Sequence, residues 1–219
     1  DLETISRVIK GLLADTQSMR SDIAQSRDEL LEARRKVETY EQRVRQLEKE
    51  LTQVSTMVQK DPLTHALNRR GLEEAFRLET ARAVRYESPL SMSMIDLDNF
   101  KRINDSLGHL AGDRALVHLL TVMQASVRPT DVIARLGGEE FAILFSATDL
   151  DAAVQATERV QQELAKRPFH HDGQPHTLTF SAGTGAWQAG ETLESLVQRT
   201  DAAMYQAKRA GKNRVSRAQ

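Results

Sequence analysis

A seven-residue apolar repeat runs through residues 1–60 and leaves that part of the chain few ways to fold. One seam position is taken by Leu2, Ile9, Thr16, Ile23, Leu30, Val37, Val44, Leu51 and Val58. The other is taken by Ile5, Leu12, Met19, Ser26, Ala33, Tyr40, Leu47 and Val54. Only Thr16 and Ser26 interrupt the seam, and no proline breaks it. A sustained 3.5-residue period specifies a left-handed coiled coil, here roughly 85–90 Å long at the helical rise. The flanking positions choose the partner. In a parallel, in-register pair each residue at one flank faces the residue five positions later on the other chain. Those pairs are Asp15/Arg20, Asp22/Arg27, Glu29/Arg34, Lys36/Glu41 and Arg43/Glu48, all opposite in sign. Each exposed pair contributes only about 0.2–1 kcal/mol, so the charges set register while the seam supplies stability. The expectation is a parallel homodimer through residues 1–60. Near the start, Val8 and Leu13 replace flanking charges and widen the apolar stripe. That leaves open a docking site for a regulatory protein, a four-helix assembly, or fraying helped by Gly11.

Asp61-Pro62 ends the repeat, because proline disfavours helical geometry in the residue before it. Residues 61–219 are expected to form a separate domain. Residues 1–60 carry 11 basic and 11 acidic side chains, leaving 19 and 20 in the remainder. Such a near-neutral domain lacks the basic footprint of a nucleic-acid binder. The chain has no cysteine, hence no disulfide or thiolate metal site, which suits a reducing cytoplasm. No apolar run approaches a membrane span and no signal peptide is evident.

The second part is organised around a hairpin. Val132-Ile133-Ala134 and Phe141 to Phe145 flank Gly137-Gly138, the pattern of two strands joined by a tight turn at the glycines. Glu139 and Glu140 follow at once, where the missing side chains let a phosphate or metal approach the backbone. Alone, two acids at a turn are a solvated surface pair. A second acidic group, Asp96-Leu97-Asp98, closes a predicted strand from Leu90 to Asp96. A short helix follows directly, and its unpaired first amides suit phosphate oxygens. Helices are also predicted over 69–86, 111–127, 150–166 and 193–210, and a half-buried strand over 177–184. His118 reads as a packed or surface histidine. Asp172-Gly173 and Pro175 make the histidine-rich stretch His170 to His176 a loop between strands rather than a metal cluster. The order strand–helix–helix–hairpin–helix–strand–helix–strand implies an α/β (α+β) domain, an antiparallel sheet with helices on its faces.

From about Asp61 to Val215 this sequence resembles the GGDEF family of diguanylate cyclases, in a G-G-E-E-F form. The resemblance is carried by Asp61-Pro62-Leu63-Thr64 with Leu67-Asn68-Arg69-Arg70, by Asp96-Leu97-Asp98-Asn99-Phe100-Lys101, and by Asn104 with Gly108-His109-x-x-Gly112-Asp113. It extends through Arg128-Pro129-Thr130-Asp131, with five residues between it and Gly137, to Tyr205-Gln206-Ala207-Lys208 and Gly211-Lys212-Asn213. His65 stands where the family commonly has glycine, and Ala182 where it commonly has isoleucine.

The resemblance implies a ferredoxin-like β-α-β-β-α-β core, akin to nucleotide cyclases and polymerase palms, in which Asp96, Asp98, Glu139 and Glu140 crowd together. Such carboxylates need a cation to stay charged together, and hard oxygen ligands beside a triphosphate select Mg²⁺ or Mn²⁺. The implied ligands are Asp96, the Leu97 carbonyl and Glu139. Asn99 and Phe100 would cradle the triphosphate, with Lys101, Lys208 and Lys212 neutralising the pyrophosphate. Asn104 and Asp113 would read guanine, and His109 belongs to the same substrate-binding set. Either Glu140 or a metal-bound hydroxide would remove the ribose proton. Arg128 and Asp131, with Arg159, match the family's inhibitory site for cyclic di-GMP. The implied activity converts two GTP to cyclic di-GMP between two facing domains. A non-catalytic cyclic di-GMP receptor and an interaction scaffold are the alternatives.

Overall fold

The computed structural model describes Arg34, Lys36, Val37, Thr39, Tyr40, Gln42, Arg43, Val44, Gln46 and residues 59–219. The chain divides into two compact units, Asp1–Ser55 and Thr56–Gln219. The described residues of the first unit are helical and exposed. Val37, Tyr40 and Val44 are large apolar side chains open to solvent. Their spacing of three and four places them on one stripe of the helix. The remainder of the heptad reading, including Val8, Leu13 and the charge pairs as pairs, lies outside the described residues.

The second unit is built from α1 (Arg69–Tyr86), β1 (Ser91–Leu97), α2 (Phe100–Leu107), α3 (His109–Ser126) and the hairpin β2 (Val132–Gly137) and β3 (Glu140–Phe145). There follow α4 (Leu150–Lys166), β4 (Phe169–His171), β5 (Gln174–His176), β6 (Phe180–Ala186), α5 (Leu193–Arg209) and β7 (Val215–Arg217). Side-chain caps open three of the helices. Asn68 accepts from the Gly71 amide, Asp149 from that of Ala152 and Thr192 from that of Ser195. Each satisfies a donor that the helix itself leaves unpaired.

The main sheet has the order β2-β3-β1-β6-β7. Every pairing is antiparallel except β6 with β7. Central β1 is buried along its whole length, and the two-residue period of a strand sorts its side chains between two layers. Ile95 and Leu97 join Phe141, Ile143, Phe145 and Phe180 against Leu116, Leu119 and Met123 of α3 and Val160 and Leu164 of α4. Met92 and Met94 join Ala142 and Leu144 against Leu72 and Phe76 of α1 and Leu196 and Met204 of α5. Each fully buried side chain of this size stabilises the fold by about 1.5–3 kcal/mol. By the same alternation Asp96 and Glu140 fall on the α1/α5 side. No helix among the described residues is long and apolar enough to cross a membrane.

Three local expectations change. The hairpin turn is Gly138-Glu139 rather than Gly137-Gly138, because a bulge between Arg135 and Gly137 leaves Gly137 paired with Glu140. The 170–176 stretch is itself a small hairpin, β4 paired with β5 and turning at Asp172-Gly173, both at positive φ. The strand expected over 177–184 runs instead over Phe180–Ala186.

The lead-in to α1 is tightly folded. Asp61 accepts from the Thr64 amide at 2.8 Å and from its hydroxyl at 2.6 Å. Leu67 bridges Ala134 in parallel, covering the edge of β2. His65 has φ 61°, a left-handed conformation that a glycine adopts without strain. The departure from the family's glycine therefore sits where glycine is conformationally favoured. His65→Gly is expected to raise unfolding stability by about 1 kcal/mol, measured as an increased urea midpoint at unchanged m-value.

Candidate active site

Two distant acidic stretches meet at one end of the sheet. Asp96 lies opposite Glu140 in the β1–β3 register. One step further on, the Leu97 amide donates to the Glu139 carbonyl at 3.3 Å. The central strand thus delivers a carboxylate and a main-chain amide to the Gly138-Glu139 turn. Helix α5 answers the charge: Lys208 Nζ lies 2.8 Å from Asp96 Oδ2. Burial pushes the Asp96 carboxyl above its ordinary value. Lys208 opposes this, while Glu139 and Asp98 add to it. Glu140 is also raised, first by burial and then by Asp96 and Asp201, again against Lys208.

Asp98 stays near enough to act on Asp96, but its oxygens are bonded elsewhere. Its Oδ2 accepts from the Thr179 hydroxyl at 2.9 Å and the Asn213 amide at 3.0 Å, and its Oδ1 accepts from Ser181 at 2.7 Å. It is a buried joint between β6 and the C-terminal turn, because the chain leaves β1 at this residue and no longer follows the strand's alternation. The joint serves the site indirectly. Lys212 and Asn213 both adopt positive φ after Gly211, and Lys212 Nζ reaches Asn99 Oδ1 at 2.6 Å. Asn99 is left-handed, with φ 58°, at the N-cap of α2, and its side chain makes no capping bond. The first amides of that helix are thereby presented beside Lys212.

Asn104 lies on α2 where it packs over α3. A Cβ at Gly112 would overlap the Asn104 side-chain oxygen and crowd Phe100. This close approach is what glycine permits there, and it sets Asn104 one residue from Asp113, which is half-buried. Lys101 and His109 are exposed at the starts of α2 and α3.

The remaining expected residues gather at the other end of the hairpin, about 17 Å away along β2 at the strand rise. The Arg128 amide donates to Asp131 Oδ2 at 2.9 Å. Arg159 donates through Nε and Nη2 to the Ser126 carbonyl at 3.2 and 2.9 Å. Asp131 Oδ1 is buried without a hydrogen-bond partner.

Some residues at the site carry no earlier reading. Arg135 donates to the carbonyl of Gly138, and Thr179 and Ser181 hold Asp98. Asp201 acts on Glu140 through its charge. Its spacing of seven from Lys208 on one helix is a signal for a shared face. Arg135 is three residues from the carbonyl it holds, a contact that strand periodicity does not announce.

Among the described residues, no three or more histidine, cysteine, aspartate or glutamate side chains converge as a metal cage. The candidate cation set is smaller, two carboxylates and one carbonyl. Its donors fit a hard divalent ion: all are oxygens, and Asp96 and Glu139 repel each other where one carboxyl is largely buried. Sites of this type complete their coordination with water and substrate phosphates.

Burial holds the Asp131 carboxyl above its ordinary value, against the Arg128 amide and charge. The folded chain therefore binds this proton more tightly than the unfolded one. The stability it contributes is complete below pH about 4 and is lost as pH rises through the raised value. Asp131→Asn removes that dependence. The variant should gain on the wild type as urea melts move from pH 4 to pH 7, and a difference constant with pH would contradict this.

The chain matches the family model for "Diguanylate cyclase, GGDEF domain" over residues 58–214. It is 38% identical over 211 residues to diguanylate cyclase DgcP of Pseudomonas aeruginosa, a match covering 94% of this chain and 31% of DgcP. Among solved structures it is similar to diguanylate cyclase SiaD in complex with its activator SiaC, from Pseudomonas aeruginosa. That match has TM-score 0.72 and 32% identity, and covers 99% of this chain and 84% of SiaD. It is also similar to the coiled coil and GGDEF domain of DgcB from Caulobacter crescentus in complex with c-di-GMP, with TM-score 0.74 and 30% identity over 86% of this chain and 99% of that one. This chain spans about a third of the length of DgcP and half that of a Vibrio cholerae diguanylate cyclase. With a sheet that brings Asp96 to the Gly138-Glu139 turn, and with the family match running through both, the chain belongs to the GGDEF-domain family of diguanylate cyclases.

Proposed function

We propose that this chain is a diguanylate cyclase that condenses two GTP into cyclic di-GMP and two pyrophosphates, dependent on Mg²⁺ or Mn²⁺ and active as a dimer. The observation that carries the reading is the register pairing of Asp96 with Glu140, with the Leu97 amide bonded to Glu139. Asp96, the Leu97 carbonyl and Glu139 would hold the cation, which when bound supplies Lewis acidity at the α-phosphate.

The chain's own groups do the rest. The amides at the start of α2, at Asn99 and Phe100, take phosphate oxygens, as helix starts do. Lys208 and Lys212, with Lys101, neutralise the charge that builds on departing pyrophosphate. Each ribose 3′-oxygen forms a bond to the α-phosphorus of the other nucleotide. The bond from that phosphorus to the pyrophosphate oxygen breaks, and the hydroxyl proton leaves. Glu140 is the acceptor for that proton: burial and neighbouring acids raise its carboxyl, toward the affinity that a base working near neutrality requires.

Asp113 accepts from guanine N1–H and the 2-amino group, with Asn104 beside it and His109 at the rim. Adenine offers no such donor pair, and a site left with unpaired polar groups by ATP selects strongly against it. Arg128, Asp131 and Arg159 form the site for inhibitory cyclic di-GMP. The buried, unpartnered Asp131 oxygen supports this, as does DgcB, solved with c-di-GMP.

One site of this kind holds one GTP, so a second domain must face it. The heptads of residues 1–60 supply it at high effective concentration, and the exposed stripe at Val37, Tyr40 and Val44 supports that pairing. SiaD, solved with its activator, supports a further proposal: a regulatory protein docks within residues 1–60 and sets how the two domains meet.

The reading is tested by incubating the chain with GTP and Mg²⁺ and separating the nucleotides chromatographically. Cyclic di-GMP is expected from the wild type, with Glu139→Ala and Asp96→Asn at least about 100-fold slower. A wild type that binds cyclic di-GMP but forms none is a receptor instead. Gly112→Ala tests the guanine assignment separately. It displaces the end of the Asn104 side chain and presses lightly on the Phe100 ring, so stability is expected to fall little while KM for GTP rises about tenfold.

A further inference from the structure

The turn that presents Glu139 is built from residues with little of their own to hold it. Gly137 and Gly138 are exposed, Gly138 has φ 51°, and the preceding strand is bulged between Arg135 and Gly137. Besides the Leu97 amide on the Glu139 carbonyl, what grips the turn is one guanidinium. Arg135 donates through Nε at 3.1 Å and Nη2 at 2.7 Å to the Gly138 carbonyl. Its third nitrogen, Nη1, donates to both oxygens of Asp61 at 3.0 and 3.2 Å. Both side chains of this ion pair are largely withdrawn from solvent, at 13% and 16% exposure. The Arg135 amide also donates to the Leu67 carbonyl at 2.7 Å.

The lead-in segment and the acidic turn, about 75 residues apart in sequence, thus share a single cation. Asp61 is prepared for it. Burial alone would raise its carboxyl, yet the Thr64 hydroxyl and amide and the Arg135 guanidinium together hold it below the ordinary value.

We propose that Arg135 is a positioning residue for the cation site. Its fork fixes the Gly138 carbonyl, hence the plane of the Gly138–Glu139 peptide, hence where the Glu139 carboxylate is delivered. Asp61 in turn orients the fork, so the turn is set correctly only while the lead-in segment is docked on β2. A planar fork that spends two nitrogens on one carbonyl and the third on a carboxylate is a task lysine cannot copy, since an ammonium is a point charge. The inference rests on the reading that Glu139 holds the cation. It adds a route by which a change at the start of the domain reaches the chemistry.

The test uses the full chain and compares wild type with Arg135→Lys, Arg135→Met and Asp61→Asn. Three quantities are measured: Mn²⁺ binding by electron paramagnetic resonance with a non-hydrolysable GTP analogue present, steady-state kcat and KM, and thermal unfolding. Arg135→Lys keeps a charge for Asp61 and is expected to melt close to wild type. Its Mn²⁺ affinity and kcat should nevertheless each fall about 10–100-fold, with KM for GTP nearly unchanged because guanine is read elsewhere. Asp61→Asn should show the same pattern, more weakly. Arg135→Met should lose at least as much as the lysine variant. Wild-type Mn²⁺ affinity and kcat in Arg135→Lys would overturn the inference, as would losses that follow melting temperature alone. Absence of cyclic di-GMP from the wild type would count against the proposed function, while the Mn²⁺ comparison would still decide the role of Arg135.

Discussion

A carboxylate on the central strand sets the terms for everything around it. Asp96 is buried between β3 and β6 on the side that α5 covers. A charge withdrawn from water in this way must be paired or neutralised. Lys208 supplies the pairing from the last helix, and its arrival there depends on α5 lying flat against the sheet. Gly183 allows that contact, for a Cβ at this position would run into the main chain of α5 at Thr200 and Met204. The packing of a glycine in β6 and the ionisation of an acid in β1 are therefore one structural problem.

The second acid of that stretch solves a different problem. Asp98 is saturated by Thr179, Ser181 and the Asn213 amide, a carboxylate used as a rivet. It ties the end of β1 to the C-terminal turn, and the turn brings Lys212 to Asn99. One acid of the Asp96-Leu97-Asp98 group thus faces Glu140 and Lys208. The other holds the cations and amides in place around it. A two-residue spacing on a continuing strand would have put both on one face, but the chain turns away after Leu97 to start α2.

The hairpin serves both of its ends. At its closed end it carries Glu139 and Glu140. At its open end Asp131 and Arg128 are joined through the backbone, with Arg159 held to the Ser126 carbonyl nearby. On the outer edge the lead-in segment pairs with β2 through Leu67 and Ala134, and Arg135 carries that contact into the turn. The element bearing the acids is accordingly held from the sheet, from α5 and from the start of the domain.

The sequence by itself determined most of the elements and the family to which the second part of the chain belongs. Periodicity placed α1 and α4 at their observed bounds. The glycine pair with its adjacent acids marked the turn, and the resemblance of Tyr205 to Asn213 to the family's closing motif marked Lys208 and Lys212. These are local signals, set by backbone preference and by the identity of a few side chains. Tertiary structure alone decided which acid lies beside the Gly138-Glu139 turn and which is tied to β6 and the C-terminal turn, since that turns on where β1 ends. It also decided the one-residue shift of the hairpin turn, because a bulge is a property of two paired strands. The hairpin at 169–176 escaped notice because each arm is only three residues long. The linkage of Arg135 to both Asp61 and Gly138 belongs to the same class. A contact spanning 74 positions has no period, and only the folding of the lead-in segment onto the sheet edge creates it.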